Sequence, residues 1–339
     1  MRRATLLLLV LAALVPAACG DDGDSGSGKE KLTIYSGRNE TLIGPLLAQF
    51  EKDTGVDVEV RYGDSAELAA TLSEEGENSP AGLFYSQDAG ALGAVAERGL
   101  LEDLPPDLVG RVEARFRDDE GRWVGVSARA RVLAYSTKRL EEADLPQSVF
   151  DLTGSRWKGK LGLAPPNASF QAFVSGMRVD VGDERTRKWL EAIDANDPKL
   201  YENNIQAVEA IANGEIDAAL VNHYYLYEIR REQGDDVPVE NHFFRTGDPG
   251  SLVNTAGVGI LKSGKGQEAA RKLVDYLLSE RGQRYFAEKT AEYPLAAGVK
   301  PGPDLRPLKS VQGPFIDLGI LGEKLPSTLE MIEEAGLTN

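Results

Sequence analysis

Residues 32–63, LTIYSGRNETLIGPLLAQFEKDTGVDVEVRYG, decide the fold because they contain a complete strand–helix–strand unit. The unit opens with LTIYS, a run rich in β-branched and aromatic side chains that stops at a glycine. Residues 41–55 then carry apolar side chains at helical spacing, and residues 56–63 alternate as a strand does. Two strands joined by a helix predict a parallel sheet with helices on its faces.

The alternation of strands and helices continues along the chain. Helices are predicted at 65–76 and 89–100, with a strand at 82–86 between them. Two long extended stretches, 123–136 and 243–261, stand where a chain could cross from one lobe to another and back. We therefore predict a two-lobed α/β fold with hinge strands and an interlobe cleft.

The domain organisation follows from these two crossings. The chain has 339 residues, enough for two domains that each bury a core. We predict that residues 31–128 plus 257–301 form an N-terminal lobe, and that residues 129–256 plus 302–339 form a C-terminal lobe. A single sheet carrying every strand is the alternative, but it would exceed the usual size of one domain.

The first residues indicate export. Residues 1–18 combine a short basic start with an apolar stretch too short to span a bilayer comfortably, so we predict a signal peptide. Cys19, the single cysteine, follows small residues and resembles the cysteine of a bacterial lipoprotein cleavage box, although Pro16 stands where that box usually carries Leu. Residues 19–31, rich in Gly, Ser and Asp, are predicted to be a flexible tether. Lipid attachment at Cys19 would anchor the domain to the extracytoplasmic face of the membrane, and a plain signal peptide with a chance cysteine is the alternative.

Charge and composition exclude several functions. The formal charge of −16 becomes about −18 once the two arginines of residues 1–18 are removed, which argues against nucleic-acid binding. Two histidines and one cysteine in the whole chain also exclude a zinc site built from His and Cys.

Residues 222–225, NHYY, directly follow the apolar run GEIDAALV and form the main candidate site. Successive side chains of a regular strand point to opposite faces, so Tyr224 and Tyr225 can reach one ligand only if the strand has ended. We therefore predict a strand-to-helix loop at the carboxyl end of a parallel strand, where open α/β sheets bind ligands. From the pattern alone, two ordinary surface or core tyrosines are an equal alternative.

Several segments in a fixed order carry a family resemblance. They are LTIYSGRNE (32–40), FYSQDAGALG (84–93), SARARVLAYSTKRL (127–140), APPNASFQAFV (164–174), AVEAIANGEIDAALVNHYYLYE (207–228) and EYPLAAGV (292–299). Together they resemble the ferric-ion-binding proteins of bacterial iron ABC transporters over nearly the whole chain. The resemblance implies a type II periplasmic-binding-protein-like fold, a monomer that captures Fe³⁺, and delivery of the iron to a membrane permease and its ATPase.

The resemblance also implies a ligand set. Tyr224 and Tyr225 match the paired tyrosines that ligate iron in the family. The residues that match contacts to a synergistic anion, carbonate or phosphate, are the amides of Asn204 and Asn222, the small-residue turn of Ala168 and Ser169, and the side chain of Asp88. Asn39 stands where several members carry a ligating His, and Gln87 stands where they carry a ligating Glu. We predict that Asn39, Gln87 and Arg38 contact the metal or its ligands.

Elementary chemistry supports tyrosinate ligation. A hard trivalent cation prefers oxygen ligands, and binding must displace phenol protons that ordinarily leave near pH ~10. Fe³⁺ with two phenolates keeps one positive charge, so an anion would neutralise the site. Arg38, Arg129 and Arg131 are candidate partners of that anion. For Arg129 and Arg131 the pattern SARARV favours the alternative, in which exposed arginines alternate with buried Ala and Val.

His223 and two rival functions complete the sequence-based predictions. His223 is predicted to face away from the ion, because its neighbours on both sides point toward it. A binding protein of the same fold for another solute, such as a polyamine, thiamine or a small anion, is the first rival. An enzyme, for example a hydrolase using Ser127 or Ser169, is the second, and no G-x-S-x-G elbow surrounds either serine. We predict that the chain is not an enzyme.

Overall fold

The computed structural model describes residues 30–303, 305–311 and 313–338. The predicted signal peptide, Cys19 and most of the predicted tether lie outside the described residues. The strands are β1 (Lys31–Ser36), β2 (Asp57–Tyr62), β3 (Leu83–Ser86), β4 (Val124–Ser136), β5 (Leu161–Leu163), β6 (Lys199–Leu200), β7 (Ala218–Asn222), β8 (Val239–His242), β9 (Val253–Ile260) and β10 (Tyr293–Pro294). The helices are α1 (Glu40–Thr54), α2 (Ser65–Glu75), α3 (Ala89–Glu97), α4 (Pro106–Val109), α5 (Ala168–Val181), α6 (Asp183–Asp194), α7 (Asn204–Ala212), α8 (Tyr225–Gln233), α9 (Gln267–Leu278), α10 (Glu280–Lys289) and α11 (Leu321–Glu334).

The strands follow the order β2-β1-β3-β9-β4-β7-β5-β6, and β8 and β10 pair with β4 beside this path. The predicted strand–helix–strand unit is confirmed, since β1 pairs in parallel with β2 and with β3. A second parallel group joins β7, β5 and β6. The two groups are linked through β4 and β9, which run antiparallel to their neighbours, so the sheet is mixed.

Strand β4 belongs to both groups. Its residues 124–130 pair with β9, whereas residues 131–135 pair with β7 and residues 133–136 pair with β8. The extended stretch predicted at 123–136 is therefore confirmed, and the change of partner lies between Ala130 and Arg131. The proposed lobe boundaries elsewhere in the chain remain predictions.

The second predicted crossing is wrong over its first half. Residues 243–252 do not form a strand, and a short 3₁₀ helix at Pro249–Ser251 precedes β9. The Asp248 side chain accepts hydrogen bonds from the backbone N–H groups of Gly250 (2.9 Å) and Val149 (3.1 Å), and Pro249 removes a donor that a strand would need. Only residues 253–260 are extended in this segment.

Helix α1 illustrates why the helices form where the spacing of apolar residues predicts them. Its buried residues recur at helical spacing, and it ends at Gly55, whose left-handed backbone (φ 76°) lets its N–H bond the carbonyl of Glu51. Helices of this kind cover the sheet and bury two apolar clusters, a large one and a smaller one around α7, β7 and α8. Within the described part of the chain, none of the helices combines the length and the apolar character that a membrane crossing requires.

Helix α11 packs against both α3 and α5, on opposite sides of the change of partner in β4. Against α3 the approach is backbone to backbone, because a Cβ built on Gly322 at the start of α11 would lie 2.1 Å from the carbonyl oxygen of Gly90, and one built on Gly93 would lie 2.3 Å from that of Gly319, just before α11. Against α5 the contact is polar, and the hydroxyls of Ser175 and Thr328 lie 2.9 Å apart. Helix α11 thus connects a helix from each of the two groups of strands.

Candidate metal centre

Tyr224 and Tyr225 occupy the junction between β7 and α8. Strand β7 ends at Asn222, Tyr224 caps α8, and the helix begins at Tyr225. Because the chain turns here, both phenol rings lie on one side, with their centroids 4.3 Å apart and their planes inclined by 35°. The predicted strand-to-helix loop at the end of a parallel strand is confirmed.

Both phenols are buried but differ in their surroundings. Tyr224 is 1% exposed, and its hydroxyl has no hydrogen-bond partner among the described residues. Burial raises the pKa of Tyr224 well above its ordinary value, Tyr225 adds to the rise, and Arg38 and Arg129 oppose it. The phenol of Tyr224 therefore keeps its proton until a cation displaces it.

Arg38, Arg129 and Arg131 are all buried, each with at most 2% of its surface exposed. The favoured interpretation of SARARV, exposed arginines between buried small residues, is therefore wrong. It failed because β4 is covered on both faces, so that every residue from Val124 to Ala134 is buried and the alternation of the strand has no solvent side.

The three guanidinium groups keep unused donors. Arg38 donates from Nη2 to Glu292 Oε2 (2.7 Å), Arg129 donates from Nη2 to the Gln87 carbonyl, and Arg131 donates to the Leu220 carbonyl (2.7 Å). In the described structure, Nε and Nη1 of Arg38 and of Arg129, and Nε of Arg131, have no partner. Burial lowers the pKa of Arg131 to about 9, with both tyrosines opposing that change. Buried donors without partners indicate a ligand rich in acceptor atoms.

Ser169, Asn204 and Arg131 form one connected group. The Ser169 hydroxyl oxygen accepts from Asn204 Nδ2 (3.1 Å) and from Arg131 Nη1 (3.2 Å), and it donates to Asn167 Oδ1 (2.6 Å). The backbone N–H of Ser169 also donates to Asn167 Oδ1 (3.0 Å). Asn204 Oδ1 and Asn222 Nδ2 are buried and unpaired among the residues described, so both amides have capacity left for a ligand.

Asp88 stands apart from this group. Its side chain caps α3 and accepts from the backbone N–H of Ala91 at 3.0 Å. Burial raises the pKa of the Asp88 carboxyl, and the hydrogen bond from the backbone N–H of Ala91 partly opposes that rise. The carboxylate is thus engaged in orienting the start of α3.

A polar cavity of about 290 Å³ opens beside Tyr225. Among the predicted site residues, Asn39, Gln87, Ala168 and Tyr225 line it. The remaining lining residues are Gly37, Gly63, Asp64, Ser65, Pro166, Asn167 and Glu202. Asn39 and Gln87, the two amides predicted to stand at ligand positions, therefore lie on the cavity wall that Tyr225 shares.

Two acidic residues near the tyrosines, Glu228 and Glu292, were not predicted from the sequence. Glu292 is fully buried, and Oε2 accepts from Thr290 (2.9 Å) as well as from Arg38, while Oε1 has no partner in the described chain. Glu228 lies one helical turn after Tyr224, and burial raises its pKa to about 7. Glu228 could have been predicted, because it follows Tyr224 by four residues and so lies on the same face of α8. Glu292 could not be predicted from a local pattern, because its partner Arg38 is 254 positions away in the chain.

His223 has no nitrogen free for a metal. Nδ1 accepts from the backbone N–H of Ala130 (3.2 Å), and Nε2 donates to the carbonyl of Ala291 (2.8 Å). Burial lowers the pKa of His223 to about 4, so the ring is neutral near pH 7. The described residues contain no group of three or more His, Cys, Asp and Glu side chains that could hold a metal.

The chain belongs to the bacterial extracellular solute-binding proteins, because residues 78–315 match the model of that family. Within this class, several of its relatives are named ferric-iron-binding proteins. It is 33% identical to the major ferric iron-binding protein of Neisseria meningitidis serogroup B, over 99% of this chain and 98% of the relative. It is 32% identical to the Fe(3+)-binding periplasmic protein of Serratia marcescens, over 97% of this chain and 96% of the relative.

Solved structures agree with these relatives. The iron-bound HitA of Pseudomonas aeruginosa superposes with a TM-score of 0.86 at 35% identity, covering 90% of this chain and 99% of that one. The predicted resemblance and the predicted two-lobed, type II periplasmic-binding-protein-like α/β fold are confirmed. Membership also places the chain among exported solute-binding proteins.

Proposed function

We propose that this chain is an exported solute-binding lipoprotein that captures Fe³⁺ through the tyrosinates of Tyr224 and Tyr225 together with a synergistic anion. The observation that carries the proposal is the pair of buried phenols at the β7–α8 junction, surrounded by buried guanidinium groups with unused donors. The names of the relatives, which bind ferric iron, support the choice of metal.

Charge accounting explains why an anion accompanies the metal. The charges of Arg38 and Glu292 cancel, whereas Arg129 and Arg131 add two positive charges to a dry site. Fe³⁺ with two phenolates adds one more, so carbonate or phosphate stabilises the loaded state. The proposed anion contacts are Ala168, Ser169, Asn204 and Asn222, and Asp88 acts by orienting α3.

Delivery completes the proposed role. A family of extracellular solute-binding proteins serves ABC transporters, so the partner is a permease with its ATPase. The proposed lipid anchor at Cys19 would keep a monomeric domain near that permease. Replacing Cys19 with Ser should release the protein from the membrane fraction, and retention of Cys19→Ser in that fraction would contradict the anchor.

A ferric titration followed by visible absorbance tests the proposal. With carbonate or phosphate present, the protein should develop a charge-transfer band from phenolate to iron. The Tyr224→Phe/Tyr225→Phe variant should fold but stay colourless, and Tyr135→Phe, on the far half of β4, should behave as the parent. Tight ferric binding by the double variant would refute the ligand assignment.

A small anion bound without metal is the second candidate function. The three buried arginines favour it over polyamines and thiamine, which are cationic and would meet like charge. Calorimetry with phosphate in the absence of iron, beside the ferric titration, separates the two. Heat from phosphate without any colour from iron would favour the anion alone.

A further inference from the structure

His223 directly precedes the two tyrosines and is completely buried, yet both of its ring nitrogens are engaged by backbone groups. Burying a polar ring costs free energy unless its hydrogen bonds are satisfied, so the contacts of this imidazole indicate what it does. It stands between Asn222, where β7 ends, and Tyr224, where the chain turns into α8. Its contacts therefore act on the turn that carries the candidate metal ligands.

The imidazole ends the pairing of β7 with β4. The backbone N–H of His223 donates to the carbonyl of Ala130 (3.0 Å), which continues the antiparallel ladder one residue beyond Asn222. In such a pair the two residues ordinarily exchange both backbone hydrogen bonds. Here the N–H of Ala130 donates instead to Nδ1 of His223 (3.2 Å), and the carbonyl of His223 accepts from Nδ2 of Asn241 (2.7 Å). The side chain thus replaces the ladder and lets the chain turn with these backbone groups paired.

The second ring nitrogen of His223 reaches the other group of strands. Nε2 donates to the carbonyl of Ala291 (2.8 Å), between α10 and β10, and the ring lies 4.9 Å from the ring of Tyr293 in β10. Ala291 has a left-handed backbone (φ 52°), which is unfavourable for a residue with a Cβ. Such a conformation persists where its surroundings fix it, and the bond from His223 is one of those contacts.

Helix α8 makes a second bond to the same segment. Arg231, near the end of α8, donates from Nη2 to the carbonyl of Lys289 (2.7 Å), the last residue of α10. Glu292, in the same segment, accepts from Arg38. Residues 289–293 are therefore tied to α8 at both of its ends, through His223 and Arg231. These bonds orient α8 relative to the group of strands that contains β1.

The orientation of the phenols depends on this turn. The ring of His223 meets the ring of Tyr224 edge-on, with centroids 6.0 Å apart and planes inclined by 88°. The ring of Tyr224 in turn lies 4.3 Å from that of Tyr225. Ligands keep a productive geometry when neighbouring packing and hydrogen bonds fix their rotamers. The imidazole supplies both kinds of support.

We propose that His223 is a positioning residue of the metal centre, whose imidazole holds the turn of Tyr224 and Tyr225 between β4 and Ala291 so that both phenols face one ion. This inference rests on the proposed function, because it explains the geometry of the proposed tyrosinate pair. His223 does not contact the ion and acts through the backbone of the turn. Without the imidazole, two buried backbone groups lose their partner and the turn relaxes.

Three substitutions separate the two bonds of the imidazole. His223→Ala removes both. In His223→Asn the side-chain oxygen can accept from Ala130 in place of Nδ1, and in His223→Gln the longer side chain can donate to Ala291 in place of Nε2. Each amide therefore keeps one bond and loses the other.

The experiment measures how fast iron leaves. The full chain is loaded with ferric iron and with carbonate or phosphate, whichever gives the parent the stronger charge-transfer band, and an excess of EDTA then removes the iron while the band is followed. We expect release to be roughly tenfold faster for each bond lost, so that His223→Asn and His223→Gln lie between the parent and His223→Ala. The band of loaded His223→Ala should weaken toward that of a single phenolate.

The matched control is His242→Ala. His242 is the other histidine of the chain, and its Nε2 also donates to a backbone carbonyl, that of Pro146 (2.7 Å), at the end of β8. This variant should keep the band and the release rate of the parent. Thermal unfolding of every variant separates a change at the metal centre from a general loss of stability.

The outcomes distinguish this proposal from the proposed function. A parent that stays colourless with either anion overturns the tyrosinate site itself. A coloured parent whose His223→Ala variant keeps the same band and release rate overturns the positioning role and leaves iron binding in place. Should His223→Ala not fold, the two amides decide, because faster release from either supports the role of the bond that it lacks, and parent rates in both contradict it.

Discussion

Tyr224 and Tyr225 are neighbours in sequence, yet an incoming ion would meet them in turn. Tyr225 lines the open cavity, whereas the hydroxyl of Tyr224 is enclosed behind it. If the two phenols bind iron as proposed, the ion would reach Tyr225 first, and displacement of the Tyr224 proton would complete the site.

Ferric binding should weaken as pH falls. The pKa of Tyr224 is raised by burial, so below that pKa a proton must leave whenever the ion binds. Each phenol that ionises lowers the apparent affinity about tenfold for each pH unit of acidification. Affinities measured between pH 6 and 8 check this, and Tyr224→Phe should reduce the slope by about one proton. An unchanged slope in that variant would show that Tyr224 does not ionise.

Glu228 should destabilise the metal-free protein at high pH. Its carboxyl titrates near 4.5 in the unfolded chain and near 7 in the folded protein. Above pH 7 it is ionised in both states and burial penalises the fold, whereas below about pH 4.5 it is neutral in both. Replacing Glu228 with Gln should therefore raise the free energy of unfolding at pH 8 by up to about 3 kcal/mol, and leave it unchanged at pH 4.5.

Urea unfolding at the two pH values measures the effect of Glu228→Gln. The control is Glu232→Gln, an exposed position in the same helix, which should show no dependence on pH. An equal gain from Glu228→Gln at both pH values would mean that burial of charge is not the cause.

Some residues of the candidate metal centre could be predicted from the sequence, and others could not. The adjacency of Tyr224 and Tyr225 is a local feature, and the end of β7 follows from it. The burial of Arg129 and Arg131 depends on strands β7 and β9 on either side of β4, which no local pattern encodes. Glu292 reaches Arg38 only through the folded sheet.

At the scale of elements, the close approach of α3 to the segment before α11 requires glycine. A Cβ on Gly93 would lie 2.3 Å from the backbone oxygen of Gly319, so Gly93→Ala must push the two backbones apart. We expect a loss of about 1–3 kcal/mol in the free energy of unfolding. Gly319→Ala is the matched control from the same contact, because its Cβ would meet only the Asp317 side chain at 3.2 Å.

Equilibrium denaturation of both glycine variants decides the point. Gly319→Ala should cost clearly less than Gly93→Ala. Equal losses would indicate that the contact with α3 is not the cause. The same comparison reports on α11, which depends on this contact to span α3 and α5.

The partial failure of the second predicted crossing also belongs to this scale. Residues 243–261 have the composition of an extended segment, but Asp248 and Pro249 begin a turn that is held by Val149, some hundred positions earlier. The sequence Asp-Pro-Gly predicts a turn at these residues. It does not predict that Val149 donates the hydrogen bond that holds the turn in place. Strand β4, whose signal is a long run of small and β-branched residues, was predictable because nothing interrupts it.

At the scale of the whole molecule, the proposed site is nearly closed. Tyr224 and Tyr225 are at most 5% exposed and a cavity opens beside Tyr225, so we expect the two groups of strands to move together around a bound ion. We expect small-angle scattering to show a smaller radius of gyration when iron and anion are added to the metal-free protein. Tyr224→Phe/Tyr225→Phe should show no such compaction. Identical envelopes with and without iron would rule out a hinge at β4.

The pairing of β3 with β9, and of Arg38 with Glu292, has a consequence for biosynthesis. A nascent chain emerges with its amino terminus first, and the sheet that begins at residue 31 lacks an interior strand until residue 260 has been made. The buried ion pair of Arg38 with Glu292 cannot form until residue 292 has also been made. The leading half of the polypeptide therefore cannot complete its sheet until the later segments have been made.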